Sequence, residues 1–212
     1  MAECCGISSE QQQLDKKQRQ LLWTVLILNA IMFVVEFVAG WIAESSGLIA
    51  DSLDMLADAL VYSVSLYAVG KALRYKANAA LLNGILQLSL ASLVIIDVIK
   101  RYVVGSNPDA DTMLSIATLA LVVNIACFLL LYSSRNGDIN IRASWICSRN
   151  DMLMNTGVIF SALLVGSQQQ AWPDLLIALV IALFVAHSAV RIIGDARKVK
   201  RGELTDISSC CG

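Results

Sequence analysis

Carboxylates interrupt apolar sequence at several points in this chain. Asp51, Asp54 and Asp58 lie in Leu48-Ile49-Ala50-Asp51-Ser52-Leu53-Asp54-Met55-Leu56-Ala57-Asp58-Ala59-Leu60. Steps of three and four residues return to one face of a helix. Three ionised carboxylates on one stripe repel, so such a stripe holds protons or a cation. Oxygen ligands one turn apart can close on a small divalent ion. A second stripe is Cys147, Asp151 and Asn155, stepping by four, with Asn150 beside it. Asp54, Asp58, Asp151 and Cys147 together make three carboxylates and one thiolate. Tetrahedral zinc accepts that set, and the thiolate favours Zn²⁺ or Cd²⁺. Carboxylates alone suit Mn²⁺, Co²⁺ or Fe²⁺. Arg149 is expected to point elsewhere or to offset surplus negative charge.

Other chemistry-bearing residues take lesser parts. Glu36 lies in an earlier apolar run and is not expected to touch the ion. Asp97 lies near the end of a run, where it can pair with a basic residue or reach water. Cys127 reads as core, and the single histidine, His187, as outside the site. Vicinal pairs Cys4-Cys5 and Cys210-Cys211 fall in the two terminal tails, where they could share a soft metal ion and feed the membrane site.

The elements that must position these groups are membrane helices. Hydrophobic residues make up 57% of the 212 residues and charged residues only 16%, against roughly 25% charged in a soluble domain. The apolar residues are clumped into runs of about 20, enough to cross a hydrocarbon core about 30 Å thick. Six spans are expected: Leu21 to Ala43, Leu48 to Val69, Ala79 to Ile99, Met113 to Tyr132, Ala143 to Val165 and Trp172 to Val190. The fold class is therefore all-α, a six-helix transmembrane bundle. The breaks are Glu44-Ser45-Ser46-Gly47, Lys71 to Asn78, Gly105 to Asp109, Ser133 to Asn140, and Gly166 to Gln170. The net charge of −1 leaves no basic footprint for nucleic acid. The polar stretch Met1 to Arg19 does not read as a cleaved signal.

Lysine and arginine set the expected orientation. Lys16, Lys17, Arg74, Arg135, Arg142 and the run Arg197 to Arg201 gather on one side. Lys100 and Arg101 stand on the other. Both termini are thus expected in the cytoplasm, with tails at 1–19 and 196–212 around a membrane unit at 20–195.

These features resemble the cation diffusion facilitator family of divalent-metal/proton antiporters, from the first span to the sixth. The resemblance rests on Asn29, Glu36 and Gly40-Trp41-Ile42-Ala43-Glu44-Ser45, then on the Leu48 to Leu60 stretch. It continues through Asn83 and Trp172-Pro173-Asp174. The family's His/Asp-x-x-x-Asp pairs fall on Asp54 and Asp58 and on Cys147 and Asp151. Cys147 stands where zinc-transporting relatives usually have histidine. Ser148-Arg149-Asn150-Asp151 is similar to manganese-transporting relatives. No histidine-rich loop joins the fourth and fifth spans, and the family's usual cytoplasmic domain is not expected after the sixth.

The resemblance implies a multi-pass carrier, in a bacterial inner membrane, for Zn²⁺, Cd²⁺, Co²⁺ or Mn²⁺. It would be a proton-coupled homodimer with no bound cofactor and no enzymatic activity. The candidate metal-binding residues are Asp54, Asp58, Asp151, Cys147, Asp51 and Asn150. Two other classes are open. One is a membrane thiol oxidoreductase using the vicinal cysteines. The other is a non-transporting metal-binding or interaction protein on the same fold.

Overall fold

The computed structural model describes the backbone of residues 9–68, 73–132 and 139–203 and most of their side chains. All regular structure among these residues is helical: α1 (Ser9–Ile42), α2 (Ser46–Ala68), α3 (Leu73–Val104), α4 (Ala110–Tyr132), α5 (Ile139–Gln168) and α6 (Trp172–Lys200). The described residues form a six-helix bundle, as the apolar runs predict.

Several helices outrun those runs. α3 begins at Leu73 rather than Ala79, α5 begins at Ile139, and α6 continues to Lys200. Lys, Arg, Ala and Gln are good helix formers. A helix can therefore leave the hydrocarbon without ending, and apolar length measures the membrane rather than the helix. Four helices among the described residues are apolar enough to cross a membrane by length and composition alone, namely α1, α3, α4 and α6. α2 and α5 are the exceptions, and they carry the acidic stripes. Three aspartates lie within eight residues of α2, and Arg149 and Asp151 interrupt α5.

The helix surfaces are arranged for lipid. Ile31, Leu93, Val122, Leu129, Phe160 and Leu183 are exposed, while Asn29, Glu36, Asp51, Asn124, Asp151 and Asn155 are buried. Water would favour the reverse. α1 packs on α2, α2 on α5, α5 on α4 and α4 on α1, which closes a ring of four helices. α3 and α6 pair with each other and flank the ring, both against α2 and α6 also against α5. The main core joins Leu48, Ile49 and Leu53 of α2 to Ala91 and Val94 of α3, Val158 of α5 and Ile181 of α6.

The end of the bundle where α1 passes into α2 is tightly tied. Ser45 caps α2, its Oγ accepting the Leu48 N–H at 3.1 Å. Asp174, in the first turn of α6, accepts from Ser45 Oγ at 2.6 Å. It also accepts from the N–H groups of Ser46 at 2.7 Å and Gly47 at 3.0 Å. Asp97 of α3 accepts from Ser46 Oγ at 2.8 Å and pairs with Arg101 at 2.7 Å. Arg101 also reaches the Glu44 carbonyl at 2.5 Å. The Asp109 N–H, just before α4, donates to the Ala43 carbonyl at 3.0 Å. Gly105 closes α3 with φ 91, a left-handed conformation that glycine adopts without strain.

Candidate functional site in the four-helix ring

The ring of α1, α2, α5 and α4 is built in levels. At one level Val25 of α1 packs with Tyr62 of α2 and with Cys127 and Leu131 of α4. Two turns away Met32 packs with Met55 and Ala120. Between these apolar levels the same helix faces carry Asn29, Asp58 and Asn124, all buried. Asp58 meets α5 here, because its carboxyl is a hydrogen-bond partner of Asp151. Tyr62 donates its hydroxyl to Asp58 Oδ2 at 3.1 Å. Each helix of the ring thus brings one polar side chain to a common level.

The acidic stripe of α2 continues from that level toward the tied end. Asp51 and Asp54 are buried, and both lie within electrostatic range of Asp151. Glu36 on α1 is fully buried and within range of Asp51 and Asp54. Asn155 lies one turn from Asp151 on the same face of α5 and is also fully buried. Five carboxyls therefore share one interior, where protons or a cation must balance them. The described ion pairs lie elsewhere, at Asp97–Arg101, Asp195–Lys198 and Glu203–Arg201.

Several polar atoms in this interior have no hydrogen-bond partner. They are both Glu36 oxygens, Asp51 Oδ2, Asp151 Oδ2, Asn29 Oδ1, Asn155 Oδ1 and Asn124 Nδ2. Buried polar groups are rarely left unpaired, so these atoms are the candidates to take an ion, protons or water. Among the described residues, no three His, Cys, Asp or Glu side chains converge closely enough to enclose one metal ion.

The sequence-predicted residues divide as follows. Asp58 and Asp151 are in contact, Asp54 and Asp51 share their interior, and Asp51 also lies near Glu36. Asn150 is half-buried. It lies about 100° around the helix from Asp151, so Asn155 is the amide on the aspartate's face. Cys147 is on α5, but its side chain lies outside the described residues, as do Cys4, Cys5, Cys210 and Cys211. Asp97 is committed to Arg101 and Ser46. His187 is exposed.

Four polar residues were not anticipated from sequence. Tyr62 binds Asp58, and Asn124 reaches its level. Gln87 links α3 to α2, donating to the Ala57 carbonyl at 3.4 Å and to Asn83 Oδ1 at 3.3 Å. Asp174 reads in sequence as part of Trp172-Pro173-Asp174, which opens the sixth span and carries part of the resemblance, with no role of its own. The available signal was polarity within an apolar run, strongest for Asn124 in α4.

Comparison with known proteins agrees with this architecture. The cation efflux transmembrane domain profile matches residues 22–199. The cadmium, cobalt and zinc/H(+)-K(+) antiporter of Bacillus subtilis is 28% identical over 193 residues, 81% of this chain and 61% of that protein. The zinc transporter ZitB of Escherichia coli is 28% identical over 195 residues, 86% of this chain and 62% of that protein. The metal cation efflux system protein CzcD of Cupriavidus metallidurans is 26% identical over 172 residues, 76% of this chain and 54% of that protein. The chain thus spans less than two thirds of the length of each. With a matching profile over most of its length and a bundle of apolar helices around buried carboxylates, this integral membrane protein belongs to the cation diffusion facilitator family.

Proposed function

We propose that the chain exports a divalent metal ion through a site between α2 and α5. Asp54, Asp58 and Asp151 bind the ion and Asp51 extends the acidic path, with Cys147 and Asn150 as further candidate ligands. The observation that carries this reading is the meeting of Asp58 and Asp151 in the buried interior between α2 and α5. Carboxylates so placed exchange protons for a cation. The transported ion is Zn²⁺, Cd²⁺ or Co²⁺, the ions in the names of the relatives, with Mn²⁺ also suited to carboxylates.

Transport proceeds by alternating access. Ion binding from the cytoplasm displaces protons, the helices shift to open the site outward, and returning protons reset it. The positive-inside pattern supports both termini in the cytoplasm of a bacterial inner membrane, with tails at 1–19 and 196–212. The carrier works as a homodimer and does no enzymatic chemistry. The test is flux into proteoliposomes under an imposed pH gradient. Uptake of Zn²⁺, Cd²⁺, Co²⁺ or Mn²⁺ is expected, and no gradient-driven flux of any of them defeats the reading. If Asp58→Ala left metal tolerance of the host cell unchanged, the protein would be a non-transporting relative of the fold.

A further inference from the structure

Asn29 presents an oxygen that its own helix cannot use. Its Nδ2 donates to the Val25 carbonyl at 2.9 Å. The reverse orientation would set the amide oxygen against that carbonyl oxygen, so the bond fixes which end of the amide is free. The free end is Oδ1, buried in a residue 1% exposed and without a partner. Asn155 repeats the arrangement on α5. Its Nδ2 donates to the Asp151 carbonyl at 2.9 Å, and its Oδ1 has no partner.

The Asn29 level lies between two apolar ones. Val25, Tyr62 and Cys127 close one side and Met32, Met55 and Ala120 the other. Asp58 lies at that level, joined to Asp151, whose Oδ2 is also unpartnered. A divalent ion takes four or more ligands. Among the described residues the acids do not by themselves converge into such a shell. A neutral oxygen at the same level, held by a back-bond to its own helix, is suited to complete one.

We propose that Asn29 is a specificity-determining ligand of the transported cation, with its Oδ1 binding the ion beside Asp58 and Asp151. This rests on the carrier reading above. An amide oxygen is a hard donor, so it favours Mn²⁺ and Co²⁺ relative to Cd²⁺. A thiolate from Cys147 in the same coordination place would favour Cd²⁺, so the two alternatives differ in sign.

The experiment compares wild type, Asn29→Ala, Asn29→Asp and Cys147→Ala, each as the full chain in proteoliposomes, for Mn²⁺, Co²⁺, Zn²⁺ and Cd²⁺. Asn29→Ala is expected to raise KM for Mn²⁺ and Co²⁺ about tenfold, with a smaller rise for Cd²⁺. Asn29→Asp, which keeps an oxygen in place, is expected to restore Mn²⁺ uptake. The proposal is overturned if Asn29→Ala raises KM equally for all four ions, or if only Cys147→Ala alters the Mn²⁺-to-Cd²⁺ preference. Should Asn29→Ala fail to reach the membrane, Asn29→Ser and Asn29→Asp decide. An unchanged Mn²⁺-to-Cd²⁺ preference in both overturns the proposal, and a shifted preference in Asn29→Ser supports it. Wild type carrying none of the four ions defeats the carrier reading itself, whereas flux with a preference independent of Asn29 defeats only this assignment.

Discussion

Asp174 holds the backbone amide of Ser46 at 2.7 Å, joining the first turn of α6 to the first turn of α2 across 128 residues of chain. The same carboxylate takes the Gly47 N–H and the Ser45 hydroxyl. An acid at a helix N-terminus satisfies orphan donors and complements the helix dipole. Asp174→Ala is therefore expected to lower stability by about 1–3 kcal/mol, read as a lower melting temperature of the purified protein in detergent. An unchanged melting temperature would show that water replaces the carboxylate without loss.

Close approach of backbones makes a second prediction. A Cβ at Gly40 would stand 2.9 Å from Leu48 Cβ and 3.0 Å from the Ile49 nitrogen, where α1 crosses α2. Backbone cannot yield as a flexible side chain can, so Gly40→Ala should destabilise by about 1–3 kcal/mol. Gly194, with nothing within 4 Å of its Cβ position, is the control. Gly194→Ala should be neutral or stabilising by up to about 1 kcal/mol. Parallel thermal melts of the two variants check the contrast, and equal melting temperatures would refute it.

Neutralising the shared carboxylates should separate folding from transport. Asp58→Asn and Asp151→Asn each remove a charge from apolar surroundings, where charge is expensive, so both variants should elute from gel filtration as wild type does. Metal flux in proteoliposomes should fall at least about a hundredfold. Flux within about threefold of wild type in either variant would remove that residue from the proposed ion path.

Tyr62→Phe deletes only the hydroxyl that donates to Asp58. A hydrogen bond to a charged group contributes about 1.5–3 kcal/mol, and the ring still fills its level. Metal KM is expected to rise about tenfold with the maximal rate less affected, as measured by initial uptake rates over a range of ion concentration. A loss of rate at unchanged KM would place Tyr62 in the helix motion instead.

The acidic half of the candidate site was legible because Asp51, Asp54, Asp58 and Asp151 are costly in apolar sequence and their spacing names a helix face. The amide half was less so. Asn29 and Asn124 are single residues on separate helices, and no spacing within either helix relates them. Only the packing of Val25 with Tyr62 and Met32 with Met55 sets Asn29 level with Asp58. Asp174 was hidden for a different reason. Trp172-Pro173-Asp174 announces the start of a helix, and a first-turn acid looks like a cap for its own helix, yet this one serves α2. The number of helices followed from hydrophobic runs, while their ends did not, because Leu73 to Asn78 is polar and still helical.

The knot of hydrogen bonds around Ser45 and Ser46 makes α2 a lever with its fulcrum at one end. Asp58 lies about three turns along it, roughly 18 Å from the pinned amides at 1.5 Å per residue. A tilt of about 10° about that fulcrum carries Asp58 some 3 Å sideways, while Asp51, nearer the pin, travels less than half as far. That displacement exceeds a metal–oxygen bond of about 2.0–2.6 Å, so a small rocking of one helix is enough to part Asp58 from Asp151 without disturbing the end that is tied.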